Sequence, residues 1–156
     1  MDIFEEDILE FFHLLNKHSV KYILVGGLAV NYHGFSRSTG DVDLWVDEST
    51  ENRIKLVNAL KEKNIEGCEA FLTYPLLAGF AEIMLDNGVY IDLMSDLQFF
   101  KQNRFEECYQ LCNKYRINED VELSVLHVNS LIEEKEKSSR IKDKDDAEQL
   151  KKMHQK

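Results

Sequence analysis

A chain of 156 residues is long enough to bury one hydrophobic core and short for two. Hydrophobic residues make up 44% and charged residues 31%, with seven Gly and one Pro, which excludes disordered, fibrous and low-complexity classes. The formal net charge of −10 argues against holding nucleic acid by broad phosphate neutralisation. That excess lies in residues 1–132, because residues 133–156 carry eight Lys/Arg against seven Asp/Glu.

The first predicted element is an amphipathic helix over Ile3–Val20. Its apolar Ile3, Phe4, Ile8, Leu9, Phe11, Phe12 and Leu15 fall near helical spacing, and Asp2 with Glu5 reads as a capping box. Acidic residues interrupt the apolar run, unlike a secretory or membrane-spanning segment, so no membrane partner is expected and the expected compartment is the cytoplasm. Tyr22–Val25 predicts a short strand closed by Gly26-Gly27, and Leu28–His33 a short helix opening at those glycines. Val42–Val46 predicts a second strand. Thr50 is placed to cap a helix running to about Lys63, with Ile54, Val57 and Leu60 on its buried side. Tyr74-Pro75 marks the start of a loop.

Phe80–Leu85 and Val89–Met94 predict an antiparallel hairpin, since the Asn-Gly of Asp86-Asn87-Gly88 tolerates the positive φ of a tight turn. Gln98–Tyr115 reads as helical and Val121–Val125 as a further strand. Asn129–Lys137 and Asp143–His154 read as two helices separated by SSRIKD. The three cysteines, an odd number, suit a reducing compartment. Cys108 and Cys112 are spaced to share a helix face, yet no second ligand pair accompanies them, so buried thiols are expected rather than zinc.

Strand alternation puts Asp41 and Asp43 on one face and Val42 and Leu44 on the other. Two unit charges 4 Å apart repel by roughly 4 kcal/mol at an effective dielectric near 20, so something must offset them. Solvent, a raised pKa or a divalent cation would each do so, and Mg²⁺ takes carboxylate oxygens while sharing its other sites with water and substrate phosphates. Alone, Asp-x-Asp after the turn-like Thr39-Gly40 also fits a strand end reaching solvent. Gly26-Gly27, however, follow a strand with no side chain to block an anion from their backbone N–H groups. Asp92, between Ile91 and Leu93, adds a carboxylate to an apolar strand, where an unpaired charge is costly. A phosphate cradle with three strand carboxylates is the chemical set of two-metal phosphoryl transfer.

Val25-Gly26-Gly27, thirteen residues from Leu28 to Gly40, and Asp41-Val42-Asp43-Leu44 resemble the signature of the polymerase β-like nucleotidyltransferase superfamily. Arg37-Ser38-Thr39 before the Asp pair is similar to the branch that includes AbiE-type toxin nucleotidyltransferases. So is RIKDKDDAEQL, through Arg140, Lys142, Asp143 and Asp146. Gly27 departs from the serine of many relatives, leaving backbone donors without a hydroxyl.

The resemblance implies an α/β fold with a small mixed sheet flanked by helices. One domain is expected over residues 1–156, its core in about 1–126 and a helical part in about 127–156. It also implies transfer of a nucleotidyl group from an NTP to a hydroxyl acceptor, with one or two Mg²⁺ ions held by Asp41, Asp43 and Asp92. Asp92 would also orient or deprotonate the acceptor hydroxyl; Asp86, in the hairpin turn, is the second choice for this third carboxylate. The nucleotide is expected at Gly26, Gly27, Arg37, Arg140 and Lys142. A structural salt bridge is equally open to Arg37, and a solvated helix face to Arg140 and Lys142. His33 reads as packing or capping. Trp45, on the face of Asp41 and Asp43, is open to base stacking or core packing. The acceptor is a protein, a tRNA end or a small molecule, and extended nucleic-acid binding is not expected. The alternative is a non-catalytic nucleotide- or partner-binding module of a toxin–antitoxin pair, with a partner protein.

Overall fold

The computed structural model describes residue 2, residues 5–73 and residues 80–154. The order of elements is α1 (Glu6–Lys17), β1 (Tyr22–Val25), α2 (Gly26–Tyr32), β2 (Asp41–Val46), α3 (Thr50–Glu62), α4 (Ala70–Thr73), β3 (Phe80–Met84) and β4 (Tyr90–Met94). A 3₁₀ turn (Gln102–Arg104), α5 (Phe105–Leu111), β5 (Asn113–Arg116), β6 (Glu122–Val125), α6 (Val128–Glu136) and α7 (Ile141–His154) follow. Among the described residues six strands form one mixed sheet in the order β3-β4-β2-β1-β6-β5, an α/β architecture. Parallel pairing joins β2 to β4 and β1 to β6, and the other neighbours run antiparallel.

Alternation along the strands divides the core between the two faces of the sheet. Tyr22 points to one side, where its ring lies 5.8 Å from Phe12 of α1. Trp45 points to the other, 5.1 Å from Phe105 of α5, and its indole nitrogen donates to the Ser95 carbonyl. Trp45 is fully buried, which assigns it to the core and not to a base-stacking surface.

Several boundaries differ from the sequence reading. The capping box of α1 is not formed: Glu5 is the N-cap, and its N–H bonds the Asp2 carbonyl. Ser49, not Thr50, caps α3 by accepting from Asn52 N–H, and Ile54 faces solvent while Leu56, Val57, Ala59 and Leu60 are buried. The segment Gln98–Tyr115 is helical only in part. Asn113–Arg116 becomes strand β5 because its half-buried and exposed residues alternate and it pairs antiparallel with β6. The loop expected at Tyr74-Pro75, and the helix positions Ile3 and Phe4, lie outside the described residues. Among the described residues no helix is long and apolar enough to cross a membrane. The cysteines are free thiols, and burial pushes that of Cys108 up to about 11.

Asn52 ties the first turn of α3 to the sheet. Its side-chain amide donates to the Lys21 and Asp47 carbonyls, and its oxygen accepts from the Lys21 N–H at 2.7 Å. Because Asn52 is buried, Asn52→Ala leaves these backbone groups without partners. The expected loss is about 2–3 kcal/mol of stability. Urea denaturation checks this; an unchanged midpoint would show that water replaces the side chain.

Candidate functional site

The centre of the sheet aligns the acidic residues in one row. Asp43 lies between Val25 on β1 and Asp92 on β4, and Asp92 in turn pairs with Glu82 on β3. Asp41 stands two residues before Asp43 on the same face and is exposed. Gly26 begins α2 right after Val25, at φ +70°, where a side chain is strained. A Cβ there would lie 2.1 Å from Asp43 Oδ2, so the Gly26 backbone is pressed against the carboxylate.

Asp43 and Asp92 are half-buried and face each other, and two carboxyl groups share a hydrogen bond only when one carries a proton. Asp92 is pushed up to about 6, first by burial and then by its contact with Asp43 and the charges of Asp43 and Asp41. Asp43 is also raised, by burial foremost, against the lowering effect of its hydrogen bond with Asp92 and of Lys135 and Arg140. Asp92 Oδ1 is buried with no hydrogen-bond partner among the described residues. An orphaned carboxylate oxygen beside a second carboxylate is the donor chemistry that a hard divalent cation satisfies. Among the described residues no three His, Cys, Asp or Glu side chains form a ready-made metal cage. The fit to a divalent cation rests on the oxygens of the Asp43 and Asp92 pair, and water and phosphate oxygens would have to supply its other ligands.

Positive charge reaches this row from the α6–α7 hairpin. Lys135 is buried on the same face of α6 as Leu131 and Ile132, and its Nζ bridges Asp143 at 2.9 Å and Asp146 at 3.1 Å. Burial alone would raise the Asp143 carboxyl, but hydrogen bonds from Ser138 and Lys135 hold it below its ordinary value. Arg37 donates to both oxygens of the fully buried Asp146, at 2.7 and 2.9 Å. Arg140 is exposed and lies 3.8 Å from Asp143. Lys142 is exposed and forms no ion pair with another described residue.

Gly26, Gly27, Arg37, Asp41, Asp43, Asp92, Arg140 and Lys142 all line one cleft of about 250 Å³. The structure thus brings together every site residue expected from the sequence. Asp86, the second choice for the third carboxylate, does not line it and sits in the hairpin turn. Nor does His33, which is buried with its Nε2 2.6 Å from the Leu126 carbonyl. Sequence reasoning missed Lys135 and Glu82. A lysine spaced with Leu131 and Ile132 on an apolar helix face signals the first. Counting the hairpin register outward from Asn87 pairs Glu82 with Asp92 and finds the second. A second cavity of about 220 Å³ adjoins the cleft through Gly26, Asp43, Lys135 and Arg140, with Val25, Met94, Leu97 and Leu131 as its apolar wall. Part of its rim is held by Glu134, whose carboxylate accepts the backbone N–H groups of Gln98, Phe99 and Phe100.

No family model matches the sequence, and no curated protein matches it. Among solved structures the fold is similar to that of a candidate nucleotidyltransferase from Thermotoga maritima. The TM-score is 0.58 at 16% sequence identity, over 92% of this chain and 88% of that one. The likeness is one of fold, a mixed six-stranded sheet flanked by helices.

The raised Asp92 carboxyl sets the direction of a stability change. Folding holds its proton more tightly than the unfolded chain does, so its contribution to stability falls as pH rises from about 4 through about 6. In metal-free protein, Asp92→Asn is expected to gain on the order of 1 kcal/mol above that range, discounted for partial exposure. The gain should vanish below about pH 4. Thermal unfolding at several pH values checks this; a variant less stable than wild type at neutral pH would contradict the repulsion.

Proposed function

We propose that this protein is a metal-dependent nucleotidyltransferase that moves an NMP group from an NTP to a hydroxyl acceptor. The observation that carries the reading is the single cleft in which three strand carboxylates, the side-chain-free backbone of Gly26-Gly27 and several cationic side chains converge. The likeness of fold to a candidate nucleotidyltransferase supports it.

In this reading Asp41, Asp43 and Asp92 hold Mg²⁺, which when bound supplies positive charge to the triphosphate and its leaving group. Gly26 and Gly27 let the phosphates approach the backbone, while Arg37, Arg140 and Lys142 offset phosphate charge at the rim. The acceptor oxygen attacks the α-phosphorus, the bond from that phosphorus to the bridging oxygen breaks, and pyrophosphate leaves. Asp92 orients the acceptor hydroxyl and takes its proton. A nucleotide held in this way is positioned by groups set before it arrives, which is the main contribution a protein makes to phosphoryl transfer.

The contact between Arg37 and Asp146 supports the AbiE-type branch, since two separate parts of that branch's pattern meet in one site. On this reading the protein would act within a toxin–antitoxin module of the cytoplasm, on a protein, a tRNA end or a small molecule. The acidic surface of residues 1–132 favours an acceptor engaged at a few atoms over a long RNA.

Incubation with each α-labelled NTP, Mg²⁺ and cell extract tests the reading. Label is expected to pass to an acceptor with at least one NTP, to disappear with EDTA, and to fall at least about 100-fold in Asp43→Asn. Absence of transfer with all four NTPs would leave the protein a binding module instead, and full transfer by Asp43→Asn would overturn the role given to the carboxylates.

A further inference from the structure

Gly27 departs from the serine pattern for a reason visible in its surroundings. A Cβ at this position would stand 2.8 Å from Thr39 Oγ1 and 3.0 and 3.1 Å from the two terminal nitrogens of Arg37. The first distance is shorter than real side-chain contacts show, and the other two are tight enough that the guanidinium would have to give by a few tenths of an ångström. The guanidinium cannot easily retreat. Its Nε and Nη2 are bound to the two oxygens of Asp146, Nη1 donates to the Ser38 carbonyl at 2.9 Å, and Asp146 is itself held by Lys135. The Arg37 side chain is 16% exposed and that of Asp146 is 1% exposed, so the pair is largely enclosed by the protein while Arg37 still lines the cleft.

A guanidinium has five N–H bonds, of which these contacts use three. The two left over belong one to each terminal nitrogen, and both terminal nitrogens face the side of Gly27 where its side chain would be. These two spare donors lie beside a backbone stripped of side chains, next to the Thr39 hydroxyl, which donates to the Asp41 carbonyl at 3.4 Å.

We infer that Arg37, held by the buried Asp146, takes the place of the missing hydroxyl at Gly27 as the side-chain ligand of the donor's phosphates. Glycine at position 27 is required because it leaves room for that guanidinium. Asp146 is then a positioning residue: it never touches the nucleotide but fixes the orientation of the group that does. This rests on the nucleotidyltransferase reading and adds a consequence that runs against the family pattern. Restoring serine at position 27 should weaken phosphate binding, because the added atoms displace a charged donor to gain a neutral one.

The test uses Mg²⁺ with inorganic tripolyphosphate, a probe that carries the phosphates without a base. Isothermal titration of wild type is expected to show binding. Gly27→Ser, Arg37→Lys and Asp146→Asn should each weaken it about tenfold. Gly27→Ser combined with Arg37→Ala should bind no worse than Arg37→Ala alone, because both changes remove one contact. In wild type the Arg37 Nε–H resonance should shift on adding tripolyphosphate, and in Gly27→Ser it should not, with both proteins folded by their thermal transitions. A purely structural ion pair would not produce that shift. If wild type binds tripolyphosphate and Gly27→Ser binds it equally well, the inference is wrong and the nucleotidyltransferase reading stands. If wild type binds neither tripolyphosphate nor any NTP with Mg²⁺, the reading fails and the inference with it.

Discussion

The register of β2 between β1 and β4 is the constraint on which the cleft depends. Because Val25, Asp43 and Asp92 are Cα partners across three strands, the end of β1 and two carboxylates meet at one level of the sheet. A slip of one residue on β2 would turn Asp41 and Asp43 to the opposite face and bring Val42 and Leu44 to the cleft. The register is set by burial, since Val42 and Leu44 are fully enclosed and tolerate no such exchange. Hydrophobic packing on one face thus imposes charge repulsion on the other.

That repulsion is partly met within the protein. Lys135 and Arg140 on the C-terminal helical hairpin lower the energy of the Asp43 carboxylate, although burial still prevails. The same hairpin contributes Asp143 and Asp146, which hold Lys135 and Arg37 in place and balance their charges. Removing one member of so buried a network leaves an uncompensated charge, so the helices and the loop before β2 act as one unit. What remains unbalanced is Asp92, which lines the cleft and has one buried oxygen without a partner among the described residues.

Much of this was legible in the sequence, and the exceptions have physical causes. Asp41 and Asp43 were readable because strand alternation is a local property, and Gly26-Gly27 because a glycine pair ending an apolar run has few other uses. Asp92 could be placed because Asn87-Gly88 centres the hairpin, and the same count would have yielded Glu82. The partner of Arg37 was not readable by spacing, since Asp146 is 109 residues away and the pair exists only after α7 docks. Trp45 was assigned to the correct face, but its burial is decided by Phe100 and Phe105, which no local pattern ties to it. Strand β5 was missed because Asn113–Arg116 has little strand propensity of its own and takes its form from pairing with β6.

The central claim is that Asp43 and Asp92 are held together for a divalent cation. Its most direct test is a ¹³C titration of the Asp92 carboxyl, with and without millimolar Mg²⁺. Without metal the midpoint should lie near 6; with Mg²⁺ it should move below the ordinary carboxylate value, because a bound cation stabilises the charged form. A midpoint that Mg²⁺ leaves in place would contradict the account, as would an ordinary midpoint in the metal-free protein.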